Sequence, residues 1–303
     1  MLASVVIRTY NEEKHLDQLL TAVNNQKCKY VDLEVIVVDS GSTDSTVKIA
    51  KKHNCRITHI KKEDFTFGRS LNIGCEFAKG DFLLFVSGHC IPTDENWLDD
   101  MCQPLINGTC AYSYGRQEGK DTTKYSEYRH FEKWFPVYSK LPQEGFFCNN
   151  ANAAIKRSAW VQFKYNEELT GLEDMHLAKQ LVESGEKIGY VSTASVYHIH
   201  DESWQQLRTR YEREAYALRE IMPEVHFSLS DFFRFLISGV LSDFGTAIRE
   251  KSFLSNCIEI VLFRFNHYWG TYKGNHEQRK LSAKRKHNYF YPKDLEKENY
   301  NEK

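Results

Sequence analysis

Apolar and polar positions fall into short alternating blocks along the first hundred residues. Ser4 to Ile7 is an apolar strand, and Leu16, Leu19, Leu20 and Val23 then recur at helical spacing. Asn11 is the expected N-cap of that helix, with Glu12 and Glu13 in its first turn, where carboxylates favour the positive end of the helix dipole. Leu33 to Val38 reads as a second buried strand. It breaks at Asp39-Ser40-Gly41-Ser42-Thr43-Asp44 and opens a helix through Ile49 and Ala50. A third strand, Arg56 to Ile60, a helix from about Arg69 to Lys79 and a wholly apolar strand, Phe82 to Val86, complete the block. Strands alternating with helices predict a parallel sheet of an α/β protein, whose ligands bind at the carboxyl ends of the strands. Ser87, Gly88, His89 and Cys90 stand at such an end.

The pattern changes in the second half. A short helix after Trp97 and a strand over Cys110 to Gly115 are followed by an aromatic and charged stretch, Lys120 to Phe147, that reads as an inserted helix. Phe146 to Arg157 is strand-like, a helix opens near Glu173-Asp174, and Lys187 to Val191 is a strand leading to Tyr197-His198-Ile199-His200. Beyond Ser203 the spacing is helical throughout: Trp204 to Ile221, Leu229 to Ile248 and Phe253 to Trp269. This gives residues 1–203 as an α/β domain, with 1–115 and 116–203 as its halves, and 204–303 as a helical region with a basic tail.

Composition narrows the choices. Forty basic against 41 acidic residues give a net charge of -1, which argues against a nucleic-acid binder working through bulk charge. The last 33 residues hold nine Lys/Arg and five Asp/Glu, so the positive charge is concentrated there. With the apolar helix Leu229 to Ile248 and the basic Arg279, Lys280, Lys284, Arg285 and Lys286, that region matches either an anionic membrane surface or a helical subdomain packed on the sheet. Eight cysteines without a CxxC pair read as reduced core thiols. The start, MLASVVIRTYNEE, lacks the basic and apolar regions of a signal peptide, so the expected location is the cytoplasm, or the inner face of the plasma membrane as a peripheral protein. Neither a G-x-G-x-x-G after the first strand nor a P-loop occurs, which removes the main support for dinucleotide or P-loop chemistry.

Four segments in order, SVVIRTYNEEKHL, VIVVDSGSTDST, GRSLNIGCEFAKGDFLLF and GLEDMHLAKQLVESG, resemble family 2 glycosyltransferases of the GT-A fold, over roughly Ser4 to Ser203. The resemblance implies a Rossmann-like nucleotide-binding sheet with helices on both faces. It also implies inverting transfer from a nucleoside-diphosphate sugar to a hydroxyl of a saccharide or lipid-linked acceptor, with bacterial surface-polysaccharide synthesis as the setting. Asp39 would take the base edge, with Thr9, Asn11 and Glu12 lining the pocket; the alternative for Asp39 is a capping role in the turn. Arg69 and Asn72 would reach the donor sugar or diphosphate. Asp174 would be the general base and Glu173 its orienting neighbour. Asn150 and Asn152 offer amides to an acceptor, and Trp134 a stacking face.

One departure stands out. Where the family carries Asp-x-Asp, this chain reads Ser87-Gly88-His89. An imidazole ligates Mn2+ passably and suits Mg2+ poorly, so either His89 holds a transition-type divalent cation or the enzyme works without a metal. His198 and His200 are the further candidate ligands; the alternative is that they cap a strand while His89 bonds a phosphate directly. A catalytically silent GT-A-like nucleotide-binding or scaffold protein is the competing function. A sugar-phosphate nucleotidylyltransferase is disfavoured by the acidic TYNEEKH at the first strand end.

Overall fold

The computed structural model describes residues 1–277, 280–292 and 294. Eight strands form one mixed sheet: β1 (Leu2–Thr9), β2 (Asp32–Asp39), β3 (Arg56–His59), β4 (Phe82–Ser87), β5 (Cys90–Pro92), β6 (Tyr112–Glu118), β7 (Asn152–Lys156) and β8 (Ile188–His198). Their order is β3-β2-β1-β4-β7-β6-β8-β5. The first four are parallel, as their apolar runs require, with β1 buried between β2 and β4. β7 runs antiparallel to β4 and β6, β6 pairs with β8 in parallel, and β5 returns antiparallel on β8.

The helices are α1 (Glu13–Asn24), α2 (Thr46–Lys52), α3 (Phe67–Phe77), α4 (Trp97–Ile106), α5 (Tyr125–Trp134), α6 (Arg157–Phe163), α7 (Glu173–Glu183), α8 (Trp204–Ile221), α9 (Leu229–Arg249), α10 (Phe253–His276) and α11 (Ala283–Phe290). Among the described residues no helix is long and apolar enough to cross a membrane. The core of the sheet joins Val5, Ile7, Leu84 and Val86 to Leu16, Leu20, Trp97 and Met101, all buried.

The chain divides into two compact units. One comprises Met1–Asp121, Phe131–Glu168 and Glu173–Ile199 and holds the whole sheet; the other comprises Thr122–His130, Leu169–Leu172 and His200–Lys303. In the second unit α10 packs along α8, and α9 packs on α10.

Several expected elements move. Asn11 does not cap α1. It sits in the left-handed region (φ 53°), and Glu12 takes the capping position, its carbonyl accepting from the backbone of His15 and Leu16 at 3.1 and 3.0 Å. The helix expected over 120–147 shrinks to the ten residues of α5, and β8 runs seven residues past the expected Val191. β5 was not visible as a pattern because three residues are too few to show a period, and α6 was absorbed into the strand expected over Phe146 to Arg157 and the stretch after it. Cys75, Cys90, Cys102, Cys110 and Cys148 are buried as expected, whereas Cys28 is exposed and Cys55 and Cys257 are partly so. Arg279 and most of the residues after Tyr291 lie outside the described residues.

Candidate functional site

The carboxyl ends of β2, β1 and β4 lie side by side, with Thr9 paired to Asp39 and Arg8 to Ser87. Asp39 is 2% exposed, and donors within the chain surround its carboxylate. Oδ1 accepts from Thr9 Oγ1 (3.1 Å) and Ser42 Oγ (2.5 Å), and Oδ2 from the backbone of Gly41 and Ser42, both at 3.0 Å. Four donors match the lone pairs of a carboxylate. Asp39 thereby holds its own turn without capping α2, whose N-cap is Ser45, and a base N–H would compete with these bonds. Asn11 faces the same turn, its Oδ1 accepting from the Thr43 backbone at 2.9 Å.

His89 follows β4 by two residues, and its ring is 30% exposed. Its Nδ1 lies 3.4 Å from Glu12 Oε1, an approach that depends on Gly88: a Cβ there would sit 2.9 Å from Glu12 Cγ. Its Nε2 faces Nε2 of His198, the last residue of β8, at 3.2 Å, with the rings stacked at 5.1 Å. His198 Nδ1 lies 2.7 Å from Gln117 Oε1, Gln117 Nε2 donates to Asn149 Oδ1 at 3.0 Å, and that oxygen also accepts the Ala151 N–H at 2.9 Å. A β-bulge between Gly115 and Gln117 places Gln117 on this path.

This chain of bonds fixes protons. Asn149 Oδ1 accepts from a backbone N–H, so it must accept from the Gln117 amide nitrogen as well. Gln117 then turns its oxygen to His198, which must carry its proton on Nδ1 and present a lone pair at Nε2. Glu12, 3.4 Å from Nδ1 of His89, favours a proton on that nitrogen. Two lone pairs 3.2 Å apart repel unless a cation, a proton or a metal ion, stands between them. With each nitrogen ~2.1 Å from a metal, neighbouring ligands lie roughly 3.0–3.4 Å apart, so the pair fits a first-row divalent ion.

Asp174 lies in the first turn of α7, buried, with Oδ2 accepting from the Asn150 backbone and Oδ1 from that of Met175, both at 2.8 Å. Burial, then the neighbouring Glu173 charge, raises its carboxyl to about 7, against the lowering effect of the two hydrogen bonds and of Arg8. Arg8 donates to Glu173 Oε1 and to the Phe67 carbonyl, both at 3.3 Å, which ties the start of α7 to the end of β1. Sequence reasoning passed over Arg8. A lone charge in the apolar run SVVIRT was the available signal. Nothing in the sequence marked Gln117.

The other expected residues are placed less favourably for a ligand. Asn72 is buried, and its amide is fully committed to the Tyr165 backbone, Glu167 and Trp160 Nε1. Arg69 bonds Glu167 Oε2 at 2.9 Å. Asn152, wholly buried, holds Trp97 Nε1 and the carbonyls of Arg116 and Ala194, which leaves nothing for a sugar hydroxyl. Asn150 accepts from Tyr112 and Tyr165 while its buried Nδ2 has no hydrogen-bond partner, so this amide alone keeps a donor in reserve. Trp134 is 47% exposed and stacks on Phe147 at 5.1 Å. His200 belongs to the second unit. Its Nδ1 lies 2.6 Å from Glu127 Oε1, which Arg210 also meets at 2.6 Å.

A family model described as glycosyl transferase family 2 matches residues 4–169, more than half of the chain. The chain belongs to glycosyl transferase family 2. As a member it is a nucleotide-sugar glycosyltransferase, and its matched span takes in Thr9, Asp39 and His89 but stops short of Glu173 and Asp174. The O-antigen chain rhamnosyltransferase RfbN of Salmonella typhimurium is 27% identical over 223 residues, covering 70% of each chain. Two solved structures share the GT-A fold. S. aureus TarS 1-349 in complex with UDP-GlcNAc aligns with a TM-score of 0.55 at 17% identity, covering 92% of this chain and 93% of that one. The mannosyltransferase PcManGT from Pyrobaculum calidifontis, in complex with GDP-Man and Mn2+, aligns with a TM-score of 0.57 at 16% identity, covering 97% and 80%.

Proposed function

We propose that this glycosyltransferase inverts: it moves a sugar from a nucleoside diphosphate to a hydroxyl of a saccharide or lipid-linked acceptor, in bacterial surface-polysaccharide synthesis. The observation that carries the reading is Asp174, a buried carboxyl raised to about 7 at the start of a helix. Such a group takes up a proton near neutrality, as a general base for a hydroxyl must. Asp174 removes the acceptor proton as the oxygen attacks the anomeric carbon, and the nucleoside diphosphate leaves from the opposite face. Glu173, held by Arg8, steadies the base. Thr9, Asn11, Glu12 and Asp39 line the nucleotide side, and Ser87, Gly88 and His89 the diphosphate, so 1–115 serves the donor and 116–203 the acceptor. Asn150 and Trp134 take the acceptor, while Arg69 and Asn72 act through Glu167 and Tyr165. The kinship with an O-antigen chain rhamnosyltransferase supports the surface-polysaccharide setting.

A divalent cation, Mn2+ ahead of Mg2+ because the donors are nitrogens, would be held by His89 and His198, with His200 the third candidate. When bound, it withdraws charge from the departing diphosphate. An anionic membrane surface, met through residues 204–303, is the proposed partner that brings a lipid-linked acceptor within reach.

The test is calorimetric titration with UDP-, GDP- and dTDP-sugars, in Mn2+ and then with chelator. Binding of one donor that weakens at least tenfold with chelator is expected. Failure of every donor in both conditions overturns the enzymatic reading.

A further inference from the structure

Among the described residues, 20 large hydrophobic side chains are exposed, and 11 of them lie on α9 and α10. α9 buries only Phe232, Asp243, Thr246 and Ala247 of its 21 residues. Its exposed apolar residues are not scattered. Phe233, Ile237 and Leu241 repeat every fourth residue, at 52, 58 and 62% exposure, and so form one stripe. Leu254, Ile258 and Phe265 form a second on α10, at 90, 73 and 42%. The buried Phe232 packs with residues of both helices, its ring 5.1 Å from Phe233 and 6.0 Å from Phe265. A monomer rarely exposes an apolar patch larger than roughly 300–600 Å².

Charge is sorted around this face. Glu250 and Glu259 both turn to Tyr125, accepting from its hydroxyl and its backbone N–H at 2.7 Å. Asp243 is buried against Arg264, and the Asp231 carboxylate accepts the Ser228 backbone N–H at 3.1 Å and meets Arg234. Arg234, Arg249 and Lys251 are exposed. Apolar stripes whose neighbouring acids, the exposed Glu250 among them, are each tied to a partner within the unit, accompanied by exposed cations, match a helix lying in the plane of an anionic bilayer. In the basic tail, by contrast, Arg285 is drawn onto Glu212 and Glu277 within the unit.

We infer that the paired stripes of α9 and α10 are the membrane-docking face of this chain, seated in plane on anionic lipid. This rests on the membrane reading above and assigns it to an apolar surface in place of the tail. The test uses the full chain in flotation with phosphatidylcholine vesicles containing 30% phosphatidylglycerol, beside pure phosphatidylcholine. The wild type is expected to float at least tenfold more with the anionic vesicles. I237E/I258E should lose that binding with an unchanged circular dichroism spectrum and melting temperature, and Val161→Glu, at an exposed apolar residue of the other unit, should keep it. Absence of flotation by the wild type overturns the membrane reading and this inference together. Equal flotation by I237E/I258E overturns only the assignment to this face. A wild-type dimer in light scattering that I237E/I258E splits, with no flotation by either, hands the face to a second copy of the chain and overturns the lipid assignment.

Discussion

Two histidines, His198 and His200, sit two residues apart and enter opposite kinds of polar cluster. His198 stands in the middle of a row, Glu12, His89, His198, Gln117 and Asn149, in which two ring nitrogens confront each other beside one carboxylate. His200 joins Glu127 and Arg210, a buried set in which opposite charges meet, with Glu202 also 2.8 Å from Arg210; in the same unit Asp243 and Arg264 form a second such pair, joined twice at 2.7 and 2.9 Å, with Ser126 and His130 completing the bonds. The second kind of cluster answers its own needs and holds a fold. The first brings two ring nitrogens to 3.2 Å beside a carboxylate, an arrangement that suits a cation, and for that reason it is the place to look for chemistry. Burial alone does not separate them, since both histidines are under a tenth exposed.

The strongest way to break this contrast is Asp174→Asn, which should lower transfer by about 10²–10⁴ while leaving donor affinity within threefold. A large loss of donor binding would make Asp174 structural. In the wild type, kcat/KM should rise with pH to a plateau above about 7, since only the ionised carboxylate accepts a proton. Stability should run the other way. The folded carboxyl holds its proton up to about 7 while the unfolded one loses it near 3.8, so this contribution is fully present below that lower value and fades as pH rises through 7. A denaturant midpoint that falls between pH 4 and 7, with a shallower fall in Asp174→Asn, checks the sign.

In the Glu127 cluster, Glu127→Gln leaves Arg210 buried against one charge fewer and should cost about 3–5 kcal/mol in urea unfolding. Its carboxyl is held far below its ordinary range by His200 and then Arg210, against the cost of burial, so the wild-type contribution should also vanish as acid protonates it. A variant as stable as wild type would mean that the Glu127 cluster does not hold the fold. At the cation-seeking cluster, Gln117→Leu should weaken Mn2+ binding about 10–100-fold, read by calorimetry or electron paramagnetic resonance without substrate. If His89→Ala binds Mn2+ as the wild type does, the metal does not sit there. The smallest effect is expected at Arg69→Ala. Its bond to Glu167 is more than a third exposed on both sides, worth at most about 1 kcal/mol, and donor affinity should hardly move; a tenfold loss would restore Arg69 as a donor contact.

Much of the parallel half was legible because buried strands and amphipathic helices write their periods into the chain. Asp39, His89, Asp174 and His198 were visible as residue types at the ends of such elements. What supports them was not. Gln117 meets His198 across 81 residues and Arg8 meets Glu173 across 165, and local spacing holds no trace of either pairing. Asn72 and Asn152 illustrate the converse, since an amide offered to a ligand and one locked in the core look alike in sequence. The apolar character of α9 was legible, but the expectation that it buries most of those side chains was not met: Phe233, Ile237 and Leu241 are exposed, and only packing, which local spacing does not encode, decides that.

Gly88 carries a last consequence. By omitting a side chain it lets Glu12 come up behind His89, so residues 12, 88 and 89 are packed as one unit rather than as three independent positions. Restoring an aspartate at position 89 alone would set two carboxylates against each other, and any larger residue at 88 would push Glu12 aside. A lineage drifting between this motif and an acidic one should therefore change position 12 in the same step, and an engineer grafting Asp-x-Asp onto this chain would need to neutralise Glu12 first.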